Sequence, residues 1–345
     1  MISGSKTWLT NRSQRVVLNG CFSGWLPVTS GVPQGSVLGP ILFLIYINDI
    51  DLAVQVTEVA LFKFADDTKG IKTIKDRACA RELQQAIDNL FAWSREWQML
   101  FNIDKCHILH MGRTNPKFPY FINGSQMKVV DEEKDLGVLI HQSGTPSCQV
   151  AKAAKKANSV LGQLMRAVSY RDRHTYIKLY KEFVRPHLEY AVPSWCPWLQ
   201  KDIDLLEDVQ KRAVRGVSGL AGSYSEKLRL LNLPALTARR ERGDMIQTYK
   251  IINRIDNVDP AMYFEFAANQ HNHATHQGAF IEAPQPNKAN VAIPTLNLVV
   301  QNGDLALRRN FFTHRVVNKW NNLDHSTKQA STLNEFKNNY DASLV

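Results

Sequence analysis

Two adjacent aspartates, Asp66 and Asp67, close an apolar, β-prone run, Val59-Ala60-Leu61-Phe62-Lys63-Phe64. This stretch constrains the fold more than any other. The apolar side chains need a core, while the carboxylates need an edge, because an unpaired buried carboxylate is too costly. Thr68, Lys69 and Gly70 follow and read as a turn. Charge at such an edge is stable when solvated or when it holds a hard cation. A solvated turn satisfies the pattern equally well, so the spacing leaves both readings open.

About thirty residues upstream lies Gly31-Val32-Pro33-Gln34-Gly35-Ser36-Val37-Leu38-Gly39-Pro40, followed by an apolar run that ends at Asn48-Asp49. Gly31, Pro33 and Gly35 predict a loop whose bare backbone can approach a ligand. Ser36 is suited to cap the following helix, and Pro40 is tolerated in its first turn. The apolar run from Val37 to Ile47 is too short to cross a bilayer and predicts a buried helix.

Further along, Arg15-Val16-Val17-Leu18 and Asn19-Gly20 read as strand and turn. A helix is expected from about Asp76 to Leu100, with Leu83, Ala86, Ile87, Leu90 and Trp97 on its inner face. Trp93 and Trp97 read as packing residues rather than base-stacking platforms. Strands are expected at 106–111, 118–122, 127–130 and 136–140, with Asn123-Gly124 as a turn. Helices dominate after about residue 141. They are expected at 148–168, 172–183 (limited by Pro186), 201–217 and 233–255. Residues 267–304 are rich in Asn, Gln, His and Pro and predict a flexible loop. Helices resume near Asp304 and Thr332.

The net charge is +10, and it is concentrated. Between Ala151 and Lys181 lie Lys152, Lys155, Lys156, Arg166, Arg171, Arg173, Lys178 and Lys181 against Asp172 alone. Such a segment is either a solvated helix face or a contact for a polyanion. The five cysteines are irregularly spaced with no Cys-x-x-Cys, which disfavours a disulfide scaffold or zinc ribbon and fits a reducing compartment. Trp195-Cys196-Pro197-Trp198 reads as packing at a helix end. No leader of basic then apolar residues is evident, so an intracellular protein, nuclear or cytoplasmic and without a membrane partner, is expected. His271, His273 and His276 could catch a transition metal, but no Cys or carboxylate nearby completes the set.

In combination, Arg15–Gly20, Val28–Ser36, Phe64-Ala65-Asp66-Asp67, Lys134–Val138, Leu179–Ala191, Glu207–Ala213 and Phe311–Asn321 resemble the reverse transcriptases of jockey-like non-LTR retrotransposons. The resemblance covers nearly the whole chain. It implies an α+β fold: a partial polymerase palm over 1–141, an antiparallel sheet with packed helices. A mainly helical, thumb-like region over 142–218 and a helical C-terminal region over 219–345 would follow.

The resemblance also implies roles. Asp66 and Asp67 would be catalytic ligands of Mg²⁺ in a two-metal site with ions about 4 Å apart. Pro33, Gln34, Gly35, Ser36, Phe64 and Ala65 would face the incoming nucleotide and template. Lys105 matches a lysine-bearing segment near the pyrophosphate and suits a general acid, although a solvated lysine fits as well. Leu136 and Gly137 would sit in the strand that grips the primer. Lys152, Lys155, Lys156 and Arg166 would meet nucleic-acid backbone. Partners would be an RNA template, a DNA primer and deoxynucleoside triphosphates.

The chain departs from that family in two places. The His271–His276 segment replaces a Thr-Arg-Gly-His-like sequence. No Asp or Glu precedes Asp49, whereas the family carries a catalytic aspartate upstream of the glycine loop. The expectation is therefore a C-terminal polymerase fragment, inactive alone. A non-catalytic primer–template or RNA-binding remnant, or a decayed element product, is the alternative.

Overall fold

The computed structural model describes residues 8–267, 297–300 and 305–344. Its contacts separate two compact units, residues 1–130 and 131–345. Helices and short strands alternate in the first unit, and helices dominate the second.

In the first unit, β1 (Arg12–Gln14) pairs with β4 (Leu26–Val28), enclosing the hairpin β2 (Val17–Leu18) and β3 (Cys21–Phe22). Asn19 and Gly20, at φ +49° and +81°, make the expected Asn-Gly turn. Helix α1 (Leu38–Ile47) runs into a 3₁₀ turn, Asn48–Val54. The hairpin β5 (Ala60–Phe64) and β6 (Asp67–Ile71) follows, then α2 (Arg77–Glu96). Beyond α2, β7 (His107–Leu109) pairs with β10 (Lys128–Val130), and β8 (Phe121–Ile122) with β9 (Ser125–Gln126) across Asn123-Gly124.

Three sequence expectations need correction here. The turn after the apolar strand is Ala65-Asp66, and Thr68–Gly70 lie inside β6. The predicted antiparallel sheet is, among the described residues, a set of two-stranded ladders, of which β7–β10 is parallel. Helix α1 is not buried: Leu38, Ile41, Leu44, Ile45 and Tyr46 are exposed, and Gly39 and Ile47 alone are fully covered. A helix apolar on every side needs neighbours on every side, and this unit supplies them on one stripe.

Helix α2 starts where Asp76 accepts a hydrogen bond from the Cys79 N–H at 2.9 Å. It stops at Glu96 rather than near Leu100, with Trp97 as its C-cap and Gln98 at φ +54°. Trp93 is buried, whereas Trp97, expected on the inner face, is 38% exposed and meets Tyr46 edge-on at 5.5 Å. Leu83, Ala86 and Leu90 of the expected stripe do pack, and Trp93 rather than Trp97 continues the face.

In the second unit, the hairpin β11 (Glu132–Asp135) and β12 (Val138–His141) precedes α3 (Ser147–Ala167). Next come α4 (Arg173–Leu179), a π-helical turn at Tyr180–Val184, and the short α5 (Pro186–Glu189) and α6 (Val192–Trp195). Pro186 therefore opens a helix rather than limiting one, since its missing N–H is harmless at the first position. Helices α7 (Gln200–Arg215), α8 (Tyr224–Leu230) and α9 (Leu236–Ile252) complete the main body.

Alanines 153, 154 and 157 let α3 lie close to α7, where Leu206, Val209 and Val214 are fully buried. Gln210 is buried yet satisfied: it accepts from the Tyr180 hydroxyl at 2.9 Å and donates to the Pro234 carbonyl at 3.1 Å. A second core gathers Met245, Tyr249, Trp320 and Phe336, with Tyr249 stacked on Phe336 at 4.4 Å. Leu298, from the segment expected to be a loop, is buried in this core and bridges Phe266. Most of that segment, including His271, His273 and His276, lies outside the described residues.

Candidate active site

Phe64 pairs with Asp67, leaving Ala65 and Asp66 as a two-residue hairpin turn. Ala65 takes a left-handed backbone, φ +50°, unusual for a residue with a Cβ. Asp66 and Asp67 are both exposed at this tip. The strand behind them alternates as a half-buried strand should: Leu61 packs inward while Phe62 and Phe64 face outward. Lys63 lies on the inner side, with Nζ 2.6 Å from Asp51 Oδ2 and 3.4 Å from the Asn48 carbonyl. That ion pair ties the hairpin to the turn that ends α1.

The loop before α1 is stiffened from both ends. The Arg12 guanidinium donates to the Gly31 carbonyl at 2.6 Å and to the Ser30 carbonyl at 3.3 Å. Ser36 Oγ donates to the Pro33 carbonyl at 2.7 Å and accepts from the Gly39 N–H at 3.0 Å, so it caps α1 as its sequence position suggested. A Cβ on Gly39 would sit 2.9 Å from Ser36 Oγ and 3.1 Å from that carbonyl, so this closure requires glycine. Gly31 and Gly35 have φ of +74° and +77°. Gln34 and Gly35 stand exposed at the bend.

Lys105 ends a 3₁₀ turn, Ile103–Lys105, and is exposed. One small core supports these elements. Phe43 and Ile47 of α1, Leu61 of β5, Leu90 and Trp93 of α2, and Phe101 just before the Lys105 turn pack together. Asp49, Asp51, Lys63 and Arg12 do supporting work that the sequence reading missed. Asp49 accepts from the Trp93 indole at 3.1 Å. The available signal was a lone lysine in an apolar strand and a pair of acids just after an apolar helix.

Leu136 and Gly137 are not within a strand. They form the two-residue turn between β11 and β12, at φ +45° and +90°, and β12 begins at Val138. The β-prone run Leu136–Ile140 hid a turn that Gly137 permits. The turn is held from outside: the Tyr190 hydroxyl donates to the Leu136 carbonyl at 2.9 Å, and Lys152 Nζ to the Gly137 carbonyl at 3.2 Å. A Cβ on Gly137 would approach the Tyr190 ring at 3.2 Å.

Lys152 is thus engaged within the fold, as is Arg171, which donates to the carbonyls of Gly216 and Met165 at 2.7 and 3.1 Å. Lys155, Lys156 and Arg166 on α3 are exposed, as are Arg173 and Lys178 on α4. The basic segment therefore keeps a solvent-facing set after its internal contacts are removed.

Asp66 and Asp67 supply hard oxygen donors of the kind Mg²⁺ takes. They are two, and among the described residues no group of three or more His, Cys, Asp or Glu is placed to hold a metal ion. The donor chemistry fits the ion, and the donor number falls short of a closed site. The five cysteines are free thiols. Among the described residues no helix is long and apolar enough to cross a membrane.

Residues 3–159 match the family model described as reverse transcriptase (RNA-dependent DNA polymerase). The RNA-directed DNA polymerase from mobile element jockey of Drosophila melanogaster is 25% identical over 224 residues, covering 62% of this chain and 24% of that protein. Its counterpart in Drosophila funebris is 27% identical over 227 residues, with the same coverage of 62% and 24%. The probable RNA-directed DNA polymerase from transposon X-element of Drosophila melanogaster is 26% identical over 227 residues, again covering 62% and 24%. The matched stretch thus spans about a quarter of the length of these relatives. No solved structure matches the chain significantly.

Proposed function

We propose, from the match of residues 3–159 to the reverse transcriptase family model, that this chain carries the carboxylate hairpin of an RNA-templated DNA polymerase together with its nucleic-acid-holding region. The observation that carries the reading is the exposed Asp66-Asp67 tip of the β5–β6 hairpin, inside the matched stretch. Asp66 and Asp67 would hold Mg²⁺, which when bound activates a primer 3′-hydroxyl and steadies the departing pyrophosphate. The bend at Pro33–Ser36, with the exposed Gln34 and the backbone of Gly35, would position template base and deoxynucleoside triphosphate. Phe64 and Ala65 would border that space. Lys105 would lie toward the pyrophosphate as a proton donor.

Residues up to about 141 would serve as palm, 142–218 as thumb, and the rest as a helical C-terminal region. The Leu136-Gly137 turn would meet the primer as a hairpin tip. Lys155, Lys156 and Arg166 would contact duplex phosphates, with Lys152 positioning the Gly137 carbonyl.

Residues 1–48 hold no Asp or Glu. The 345-residue chain alone is therefore expected to give no primer extension with Mg²⁺. Joined in frame behind the corresponding polymerase segment of the jockey relative, it should extend. There Asp66→Asn should lower the rate roughly a hundredfold or more, as loss of a primary metal ligand does. Extension by the chain alone that Asp66→Ala abolishes would show a complete catalytic set within these residues. Full activity of the joined Asp66→Asn variant would remove the metal assignment.

A second reading, nucleic-acid binding without chemistry, is favoured by the exposed basic face of α3. Lys155, Lys156 and Arg166 replaced together by Gln should weaken binding to an RNA–DNA hybrid. The log–log salt slope should flatten by roughly one unit per lost phosphate contact. An unchanged slope, with helix content intact by circular dichroism, would mean a merely solvated face.

A further inference from the structure

Within the second unit, a cavity of about 250 Å³ opens between the α5–α6 corner and α9. Arg239, Gly243 and Ile246 recur along α9 at helical spacing and form one wall, with Val192 and Pro193 opposite. Arg240 also lines it and is 3% exposed. Its Nη2 donates to Thr237 Oγ1 at 3.1 Å, whereas its Nη1 is buried with no partner. A guanidinium stays charged at any ordinary pH, so the unanswered donor is also an unanswered charge.

The carboxylates nearby are committed elsewhere. Glu189 serves both Arg239, 2.9 Å from Nη2, and Arg185, 3.7 Å from Nε. Asp341 is held two-pronged by Arg242 at 2.6 and 2.8 Å. Asp244 is held likewise by Arg315, at 2.8 Å to each oxygen. Glu207 accepts from the Leu236 N–H at 3.0 Å and from the Tyr224 hydroxyl. Among the residues that line the cavity, Arg239, Arg240 and Arg242 stand against Glu189, an excess of positive charge. Burial lowers the pKa of Arg240, and the opposing pull of Cys196, Glu207, Glu189 and Asp244 offsets that only in part.

We infer that this cavity is a binding site for a phosphate group carried on a small organic body, with the phosphate drawn to Arg240 and the carbon skeleton lying against Val192, Pro193 and Ile246. Binding would require the Arg240 guanidinium to turn so that Nη1, buried and unpartnered here, reaches a phosphate oxygen and gains the charge-assisted hydrogen bond it lacks. The volume is below the roughly 300–1,000 Å³ typical of drug-sized ligands. It admits one phosphate and its neighbouring sugar, not a duplex. The open space above Gly243, where a Cβ would meet nothing within 4 Å, keeps the mouth clear. The inference is independent of the carboxylate hairpin and stands or falls without primer extension.

The test is thermal melting and calorimetric titration of the full chain with inorganic phosphate, thymidine monophosphate and a short oligothymidylate, against chloride at equal ionic strength. Phosphate and the mononucleotide should raise the melting midpoint, the mononucleotide by more. Arg240→Met should abolish that rise while melting, without ligand, at or above the parent, because an uncompensated charge is gone. A ligand-induced rise of equal size in Arg240→Met would overturn the site and leave only a general salt effect. A large drop in its ligand-free midpoint would instead make the guanidinium a structural group. Should Arg240→Met fail to fold, Gly243→Leu decides: it keeps the charge, projects a side chain into the cavity, and should block binding. Undiminished binding there overturns the proposal. Preference for the mononucleotide identifies a free nucleotide as ligand, and preference for the oligomer a strand phosphate.

Discussion

The two units solve the packing problem differently. In the first, a few buried residues such as Ile47, Ile50 and Trp93 form a small core, while Leu38, Ile41, Leu44 and Ile45 stay exposed along one helix. In the second, α3 and α7 bury continuous stripes, and two larger cores hold Tyr176, Tyr180, Tyr249 and Trp320 out of solvent. The carboxylate hairpin belongs to the sparse unit, where order comes from individual ties such as Lys63–Asp51 and Arg12–Gly31. Stability and candidate chemistry are thus assigned to different parts of the chain.

The strongest way to break this contrast is a truncation in the second unit's core. Leu206→Ala empties a fully buried site and should cost about 3 kcal/mol, read as a lower urea midpoint of the second unit's helical signal. A cost within experimental error would show that the α3–α7 core is not close-packed.

A smaller effect concerns acid. The Ser326 hydroxyl, with the Thr327 hydroxyl and N–H, holds Asp324 at a pKa of about 2, below its ordinary 3.8. A carboxyl whose folded value is depressed stabilises the fold above its unfolded value, and that contribution is lost as pH falls through the folded one. The second unit should therefore lose stability as pH drops from about 4 to about 2, and Asp324→Asn should shrink that loss. An identical acid profile in the variant would exclude the cap as its source.

The smallest effect sharpens the comparison from the other side. Ile41 is 51% exposed, so Ile41→Ser should change stability by no more than about 0.5 kcal/mol. A loss as large as that of Leu206→Ala would mean that the α1 face is covered in solution.

Local rules were legible before the structure. The Asn19-Gly20 and Asn123-Gly124 turns and the helix starts near Asp76 and Thr332 each follow from neighbours within four residues. The candidate residues were legible as residue types, because adjacent aspartates after a strand and a glycine-proline loop are local patterns. Their supports were not. Lys63 finds Asp51 twelve residues away, and Tyr190 finds the Leu136 carbonyl at a separation of 54.

Composition and short-range spacing dictate which segments form helix or strand, where charge accumulates, and which family the chain resembles. The folded arrangement commits Lys152 to a backbone carbonyl and leaves Lys155 and Lys156 exposed to solvent. It likewise decides that Leu136-Gly137 is a turn and that Arg240 lies buried with an unanswered donor. The reason is physical. Burial and pairing depend on what another segment brings alongside, and one side chain's spacing carries no record of its distant partner.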